Sequence, residues 1–372
     1  MEPLAPHEKI FVDKSFLEND PIHGSMACQD CHGGDPEDPD WRSAHEGVVR
    51  DPSYPADSNV CAMCHADIAA TYSTSLHYSL QPYKRAIELR LTKRSAVRNK
   101  IEGAMDTHCL TCHSSCGQCH VARPQTVGGG LLAAHYFKKK PPMNQVCISC
   151  HGSRIEREYF GKNEGVPPDV HRTKYFDCMK CHTGAEMHGD GTAYDHRYDV
   201  ANAPRCVNCH EAIYAGDAEN PVQHNIHRDL LSCQVCHSAP YKNCYSCHVG
   251  KDAEGLAYFK TEPSEMGFKI GLNPLRSERR PEKFVVVRHI PVDQGLFSYY
   301  VDGTLADFSS VPTWKMATPH TIQTSTPQNE SCDSCHGNKE LFLQEADVRG
   351  KYRRANRDVV VPDSLIPPKM GQ

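Results

Sequence analysis

The sequence predicts a mainly α-helical chain with extensive loops, a small β-containing segment and an interior that apolar side chains alone do not fill. Three observations lead to this fold class. The 372 residues include 26 prolines and 25 glycines, which favour short elements and many turns. The mean hydropathy of −0.58 is low for a chain with a large apolar core. All 20 cysteines occur in short paired motifs spread along the chain.

Each cysteine pair is followed directly by a histidine, which gives ten Cys-x-x-Cys-His units and leaves no cysteine over. Histidine makes up only about 6% of the chain, so chance does not explain ten such histidines. The cysteines are Cys28, Cys31, Cys61, Cys64, Cys109, Cys112, Cys116, Cys119, Cys147, Cys150, Cys178, Cys181, Cys206, Cys209, Cys233, Cys236, Cys244, Cys247, Cys332 and Cys335. The histidines are His32, His65, His113, His120, His151, His182, His210, His237, His248 and His336.

This motif is the attachment signature of c-type haem, in which two thiols bond to the porphyrin and the histidine binds the iron. Zinc ribbons need two cysteine pairs per metal and no histidine after each pair. Disulfide scaffolds and thioredoxin-like redox pairs do not explain the histidines either. The sequence therefore predicts ten covalently attached haem c groups with their irons, and the porphyrins would themselves form the core.

Histidines outside the motifs are numerous enough to supply the second axial ligand of every iron, because ten of the 23 histidines belong to motifs. The ten methionines offer another sixth ligand, but methionine more often fills gaps in a core. Two histidine ligands give a lower potential than histidine with methionine. The candidates lie close to a motif or in the late segment. They are His23, His45, His77, His108, His135, His171, His188, His227, His289 and His320.

Three histidines, His7, His196 and His224, are left over by this assignment. His224 and His227 are three residues apart, so they share a helix face and are interchangeable in it. His7 offers an alternative, in which it binds a haem of a neighbouring subunit.

Motif density divides the chain into three predicted regions: residues 1–250 with nine motifs, 251–331 with none, and 332–372 with the tenth motif and the tail. Residues 66–105 are predicted as helix, interrupted near Pro82. In the middle region, FVVVRHIPV and LFSYYVDGTL have β-type composition and predict a small sheet or hairpin. The glycines at 128–130 lack the ending of a phosphate-binding loop, so we expect a turn there.

Two motif pairs are very close in sequence. In THCLTCHSSCGQCH, at residues 107–120, the first cysteines are seven residues apart, and in CQVCHSAPYKNCYSCH they are eleven apart. Seven residues span at most about 25 Å when extended and about 10 Å as helix, so the attached haems would be neighbours. Close haems permit rapid electron hopping, which an oxygen carrier does not need.

Charge and hydropathy restrict the partners. The formal charge is −5, and the propionates of ten ferric haems would bring it to about −15, which argues against nucleic acid. No apolar run is long enough to be a transmembrane segment. MEPLAPHEKI has no basic start and no apolar stretch, so we expect the processed chain. Because c-type haem is attached outside the cytoplasmic membrane, we expect an extracellular or cell-surface location, with the periplasm as second choice.

Several longer segments resemble a known group. HCLTCHSSCGQCH, GGGLLAAHYF, CISCHGSRIEREYFGKNEGVPPDVH and CMKCHTGAEMHGDG are similar to multihaem cytochromes related to octahaem tetrathionate reductase and hydroxylamine oxidoreductase. RPEKFVVVRHIPV is similar to longer extracellular members of that group. The resemblance covers most of residues 20–345. It implies a multihaem cytochrome c fold, with helices around haems in stacked parallel and perpendicular pairs. By analogy with extracellular relatives, it also implies a homo-oligomer or a conducting filament.

The chain departs from these relatives where their chemistry takes place. Tetrathionate reductases replace one motif histidine with lysine, whereas all ten motifs here end in histidine. No tyrosine is marked out as the haem crosslink of the hydroxylamine-oxidising members. We therefore expect an electron-transfer protein rather than an enzyme. Its partners would be other redox proteins or extracellular acceptors such as metal oxides and electrodes. The alternative is a reductase of small nitrogen or sulfur compounds with one open haem.

Overall fold

The computed structural model describes residue 4 and residues 15–54, 59–91, 95–108, 114–216, 221–302, 305 and 307–370. Cys109, Cys112 and His113 of the third motif lie outside the described residues, as does His7. Among the described residues, no helix combines the length and the apolar character needed to cross a membrane.

Short helices separated by loops make up most of the described chain, as the composition predicts. They are α1 Ser15–Asn19, α2 Cys28–His32, α3 Trp41–Ala44, α4 Ala66–Tyr72, α5 Leu76–Ser79, α6 Gln81–Glu88, α7 Ser95–His108, α8 Cys116–His120, α9 Cys147–His151, α10 Arg157–Tyr159, α11 Val170–Thr173, α12 Gly184–Met187, α13 Glu211–Ala215, α14 Pro221–His227, α15 Cys233–His237, α16 Cys332–Cys335 and α17 Arg353–Asn356. The mainly helical, loop-rich class is thus confirmed.

The predicted helix at 66–105 is present, but it is divided into α4, α5, α6 and the longer α7. The interruption lies at Leu80, whose backbone is left-handed with φ of 49°, and α6 begins at the next residue. Pro82 therefore occupies the first turn of α6, where its missing N–H costs no helical hydrogen bond. The glycines at 128–130 all have positive φ, which agrees with the predicted turn.

Strands appear from residue 241 onward. They are β1 Tyr241–Lys242, β2 Cys247–Lys251, β3 Ala257–Thr261, β4 Met266–Gly267, β5 Lys269–Leu272, β6 Phe284–His289 and β7 Trp314–Met316. β5, β6 and β7 form an antiparallel sheet, in which Val287 pairs with Lys269 on one side and with Met316 on the other. β1 pairs with β4, and β2 pairs with β3 as a hairpin. β6 fulfils the strand prediction for FVVVRHIPV.

The strand prediction for LFSYYVDGTL is wrong for residues 296–302, which form consecutive turns rather than a strand. The amide of Val301 donates to the carbonyl of Phe297 four residues earlier. Leu296, Phe297, Val301 and Leu305 are all buried in one cluster. Their spacing places them on one side of a turn, as in a helix, whereas a strand would alternate its side chains between two faces.

The chain divides into two compact units that are discontinuous in sequence. The first consists of Met1–Arg85, Leu110–Gly152 and Asp177–Ala203, and the second of Ala86–Cys109, Ser153–Phe176 and Pro204–Gln372. The division into regions 1–250, 251–331 and 332–372 is a division by motif content, and it stays a prediction.

The second unit contains two apolar clusters. One gathers α7 and the turns after Gly295 around Ile101 and Phe297. The other surrounds the three-stranded sheet with Ile270 and Val286, both fully buried. β6 is buried along its length because it is the central strand, with β5 and β7 on its edges.

The first unit contains a long stretch without any buried residue. Residues 18–52 are all described, and each is half-buried or exposed. Ile22 and Trp41 are 74% and 66% exposed, which is unusual for large apolar side chains next to an ordered helix. Residues 18–52 therefore contribute no side chain to an apolar core.

Candidate haem-binding sites

The motifs share a local conformation that explains their spacing. Five lie on single helical turns, α2, α8, α9, α15 and α16, and three form 3-10 turns at Val60–Met63, Cys178–Lys180 and Cys206–Asn208. In such a turn, residues three positions apart lie on the same side, so the two thiols of a motif point in the same direction. The histidine is the next residue and lies beside them. The eight motifs can therefore present two sulfurs and one imidazole together.

Polar residues just before the motifs start these turns. The side chains of Asn59, Ser115 and Ser331 accept hydrogen bonds from backbone amides three residues later. These caps provide hydrogen-bond acceptors for backbone N–H groups that have no partner within the first turn. The ninth motif is different, because Cys247 and His248 belong to strand β2.

Seven motif histidines lie next to a histidine from outside the motifs. In each pair one ring comes from a Cys-x-x-Cys-His unit and the other does not. The ring-centre distances are 6.2 Å for His23 and His65, 5.9 Å for His32 and His135, 6.2 Å for His77 and His151, 6.1 Å for His120 and His188, 6.2 Å for His171 and His210, 6.2 Å for His224 and His237, and 6.3 Å for His227 and His336.

This distance is the one that a shared metal ion requires. An imidazole nitrogen binds a metal at about 2.0–2.1 Å, and the ring centre lies about 1.1 Å behind that nitrogen. Two imidazoles on opposite sides of one iron are then separated by about 6.2 Å between ring centres. Direct stacking would bring the rings closer, so the seven pairs fit axial coordination of haem iron from both sides.

Hydrogen bonds to backbone carbonyls orient several of these rings. Nδ1 donates to the carbonyl in each case, which leaves the unprotonated Nε2 for a metal. The distances are 2.7 Å from His32 to Val49, 2.6 Å from His120 to Lys138, 2.7 Å from His227 to Gln223, 3.0 Å from His237 to Gln323 and 3.1 Å from His336 to Pro368.

At three other histidines, a carboxylate and not a backbone carbonyl is the partner of Nδ1. Nδ1 lies 2.9 Å from a carboxylate oxygen in the pairs His23–Asp20, His171–Asp169 and His182–Glu186. A carboxylate acceptor makes the imidazole more electron-rich than a carbonyl does, and it strengthens the ligand toward oxidised iron. These histidines thus fall into two classes: five donate from Nδ1 to a backbone carbonyl, and three have Nδ1 beside a carboxylate.

Burial lowers the pKa of several of the paired imidazoles. Together with the neighbouring His151, it lowers the pKa of His77 to about 4. The pKa values of His135 and His188 are also lowered, first by burial and then by the histidine opposite each of them. A neutral ring retains the lone pair that a metal ligand must offer.

Motifs also lie next to each other within each unit. The thiols of three cysteine pairs from different motifs lie close enough together to shift the pKa values of the two partners in opposite directions. They are Cys61 with Cys116, Cys147 with Cys178 and Cys206 with Cys233. Weaker electrostatic contacts join Cys31 to Cys61, Cys119 to Cys150 and Cys236 to Cys335.

These contacts form one series of motifs in each unit. In the first unit the order is the motifs of Cys28, Cys61, Cys116, Cys147 and Cys178. In the second unit the order is the motifs of Cys206, Cys233 and Cys332. The porphyrin edges carried by successive motifs in each series would therefore be neighbours.

The structure pairs six of the ten predicted distal histidines with a motif histidine. The other four lie elsewhere. His45 is exposed, with Nδ1 2.6 Å from the carbonyl of Trp41, and His108 lies 2.5 Å from the Tyr300 hydroxyl. His289 packs against Trp314, and the backbone amide of His320 donates to Glu158. Their assignment as iron ligands stays a prediction.

His224 is one of the three histidines that the sequence assignment leaves over. It occupies α14 together with His227, and the two face different motifs, those of His237 and His336. The three-residue spacing was the available signal, but it suggested that the two histidines were alternatives. The structure shows that one short helix presents both rings, each to its own partner.

A buried arginine and a half-buried arginine suit an anionic neighbour. Arg288 forms an ion pair with Glu158, and both side chains are almost fully buried. Arg154 lies in the same cluster, with Nη1 2.8 Å from Cys244 Sγ. The Nε atoms of Arg154 and Arg288 are buried without an acceptor among the described residues. One carboxylate against two guanidinium groups leaves positive charge that a haem propionate would compensate.

Comparison with known proteins agrees with this arrangement. Residues 60–152 match the family model of cytochrome c554 and c-prime, which covers four motifs of this chain. The chain is also 29% identical over 149 residues to the C-type polyheme cytochrome OmcB from two strains of Geobacter sulfurreducens.

That alignment covers 33% of this chain and 19% of the length of the curated relatives. No solved structure matches the chain significantly. The printed names of the relatives describe polyheme c-type cytochromes, and the family model includes Cys-x-x-Cys-His motifs of this chain. Together they support a multihaem c-type cytochrome.

Proposed function

We propose that this protein carries ten haem c groups and conducts electrons from haem to haem. The observation that supports this most directly is the set of seven histidine pairs, each with one motif ring and one outside ring 5.9–6.3 Å apart. When bound, each haem supplies an iron that changes between the ferric and ferrous states by one electron.

At the seven histidine pairs, the residues of the chain favour electron transfer. Both imidazoles of a pair would hold the iron of one haem, which would leave no position there for a substrate. Nδ1 hydrogen bonds hold rings such as His32 and His237 in fixed orientations. A ligand set that does not change on reduction needs little rearrangement, which favours rapid outer-sphere transfer.

The neighbouring motifs supply the path. Thiol contacts such as Cys61 with Cys116 and Cys206 with Cys233 bring successive attachment points together within each unit. The porphyrins bonded at those sulfurs would approach edge to edge, where electron exchange is fastest. Each unit then contains a continuous series rather than isolated centres.

The location and the partners belong to the same proposal. Covalent haem attachment supports a site outside the cytoplasmic membrane, extracellular or at the cell surface, with the periplasm as second choice. The partners would be redox proteins or extracellular acceptors such as metal oxides. A homo-oligomer or filament would extend the path beyond one chain, and electron microscopy of the purified protein at high concentration tests this directly.

The central test combines mass and spectroscopy of the purified holoprotein. Ten haems add about 6 kDa to the intact mass. Low-spin signals should dominate the ferric spectrum, and reduction by a strong reductant should convert every haem. A colourless protein or an unmodified mass would end the proposal, and a predominantly high-spin spectrum would contradict bis-histidine ligation.

A second candidate function, reduction of a small molecule at an open haem, has one observation in its favour. Among the described residues, His248 of the ninth motif lies beside Glu262 and Asp293, and no histidine ring is paired with it. A single open iron in an otherwise conducting chain would be enough for such chemistry.

A further inference from the structure

The ninth motif provides a ligand environment unlike the seven paired ones. His248 Nε2 lies 3.7 Å from Glu262 Oε1, and the ligand atoms of His248, Glu262 and Asp293 are all within 4.8 Å of one another. Among the described residues, no second histidine ring lies beside His248. A metal held by this ring would therefore meet carboxylate oxygen on its other side.

Strand pairing explains how these groups come together. His248 lies in β2 and pairs with Lys260 of β3, and the amide of Glu262 just beyond β3 donates to the carbonyl of Ser246. Side chains two positions apart on adjacent strands share a face of the hairpin. Glu262 is therefore held beside His248 by the main chain.

Asp293 reaches the same place from a loop. The amide of Val249, next to His248, donates to the carbonyl of Leu296. The loop that precedes Leu296 is closed on itself, with the amide of Gly295 2.6 Å from Asp293 Oδ1. The two carboxylates thus come from separate segments, and both are fixed by backbone hydrogen bonds.

The spacing suits an axial position. A histidine nitrogen and a carboxylate oxygen on opposite sides of one metal ion are about 4 Å apart, since each binds at about 2.0–2.2 Å. The observed 3.7 Å is close to that value. The Glu262 side chain is 60% exposed and the His248 side chain 30%, so solvent reaches this site.

Two other histidines of the second unit have ring contacts that do not involve His248. The amide of Cys244 donates to the carbonyl of His289, but the His289 ring packs against Trp314, and the His108 ring contacts the Tyr300 hydroxyl. Exchange of a surface carboxylate for water or another ligand is easier than displacement of a buried imidazole. Carboxylates in place of a second histidine ring, together with access of solvent, distinguish the ninth motif from the seven paired motifs.

We propose that the haem of Cys244 and Cys247 is the ligand-binding haem of this protein, with His248 on one side of the iron and an exchangeable position lined by Glu262 and Asp293 on the other. The ligand would be a small uncharged molecule with a lone pair, because two carboxylates repel anions. This inference rests on the proposed haem attachment, and it adds a reactive iron to a conducting chain.

Carbon monoxide added to the fully reduced holoprotein is the appropriate probe, since it binds ferrous haem with an open or weakly held sixth position. About one haem per chain should bind carbon monoxide, and a high-spin signal of about one iron should appear in the oxidised protein. Azide, an anion, should bind the oxidised protein weakly. If no carbon monoxide binds and all irons are low-spin, the proposal is overturned.

Substitutions at Glu262 assign the signal to this haem. Glu262→His offers an imidazole to the iron and should abolish both carbon monoxide binding and the high-spin signal. Glu262→Gln should keep carbon monoxide binding and strengthen azide binding several-fold. Glu254→Gln, an exposed carboxylate in the turn of the same hairpin, should leave every signal as in the wild type.

Intact mass separates the two levels of the proposal. A mass of ten haems with wholly low-spin irons overturns the open site and leaves the conducting function intact. A mass of nine haems, with the ninth motif unmodified, overturns the open site and the haem count together. If carbon monoxide binds but Glu262→His does not affect it, the open haem lies at another motif and the assignment to His248 is wrong.

Discussion

The carboxylate of Asp169 orients the imidazole ring of His171: Asp169 Oδ1 lies 2.9 Å from His171 Nδ1, and the aspartate side chain is 3% exposed. The same carboxylate is fixed from two further directions. Its Oδ1 accepts from the amide of His171 and its Oδ2 from the amide of Ile322. His171 in turn lies 6.2 Å from His210 of the seventh motif. A buried negative charge therefore stands directly behind one proposed iron ligand.

Asp169→Asn is expected to raise the potential of the haem at Cys206 and Cys209. The carboxylate makes His171 electron-rich and stabilises ferric iron, and the neutral amide would remove much of that effect. Spectroelectrochemical titration should show one component moving to higher potential while the rest stay in place.

Asp229→Asn is the matched control, because Asp229 belongs to the same unit and its side chain is 79% exposed. Its titration should overlay that of the wild type. If the Asp169→Asn titration does so too, with an unchanged circular dichroism spectrum, Asp169 has no role in setting the potential.

The angles between paired rings predict two kinds of ferric signal. His77 with His151 and His227 with His336 are nearly perpendicular, at 79° and 80°. Near-perpendicular imidazoles leave two iron orbitals almost equal in energy and give a strongly anisotropic low-spin signal. His224 with His237 is nearly parallel, at 17°, and should give an ordinary rhombic signal.

Two substitutions on the same helix separate these signals. His227→Ala should remove a strongly anisotropic component from the electron paramagnetic resonance spectrum, and His224→Ala a rhombic one. Loss of the same component in both variants would show that the two histidines do not serve different haems.

His224→Ala should also create an additional open haem at the motif of His237. The reduced variant is expected to bind about one more carbon monoxide per chain than the wild type, because one axial imidazole is missing. His196→Ala is the control, since His196 lies against Tyr198 at 5.1 Å and was left over by the sequence assignment as well. Equal binding by wild type and His224→Ala would exclude His224 as a ligand.

The buried pair of Arg288 and Glu158 should affect stability more than any surface pair. Glu158→Gln leaves a buried guanidinium without its counter-charge, and removal of one partner of such a pair costs about 3–5 kcal/mol. The thermal unfolding midpoint of the holoprotein should fall clearly.

Asp363→Asn removes the partner of Lys339 at the surface, where both side chains are more than half exposed. Exposed ion pairs contribute about 0–1 kcal/mol, so its midpoint should change little. Equal midpoints for the two variants would show that the buried pair contributes no more than the exposed one.

Local features were largely predictable from the sequence. The helical segments between residues 66 and 108 and the strand at Phe284–His289 follow from composition and pattern. The turns at residues 296–302 do not, because aromatic and β-branched residues favour strands in general. In the fold these side chains fill a cluster beside α7, and that tertiary packing outweighs the local preference.

The sequence by itself determined the chemistry of attachment, since two thiols and an imidazole within five residues are placed together by one turn of backbone. Only the tertiary structure decided which histidine faces which motif. His32 and His135 are separated by about a hundred residues, yet their rings lie 5.9 Å apart. The same holds for the carboxylates around His248, which two backbone-anchored segments bring to one place. Sequence spacing determines which residues are neighbours within one turn of backbone. The packing of distant segments determines which two residues face each other across a cofactor.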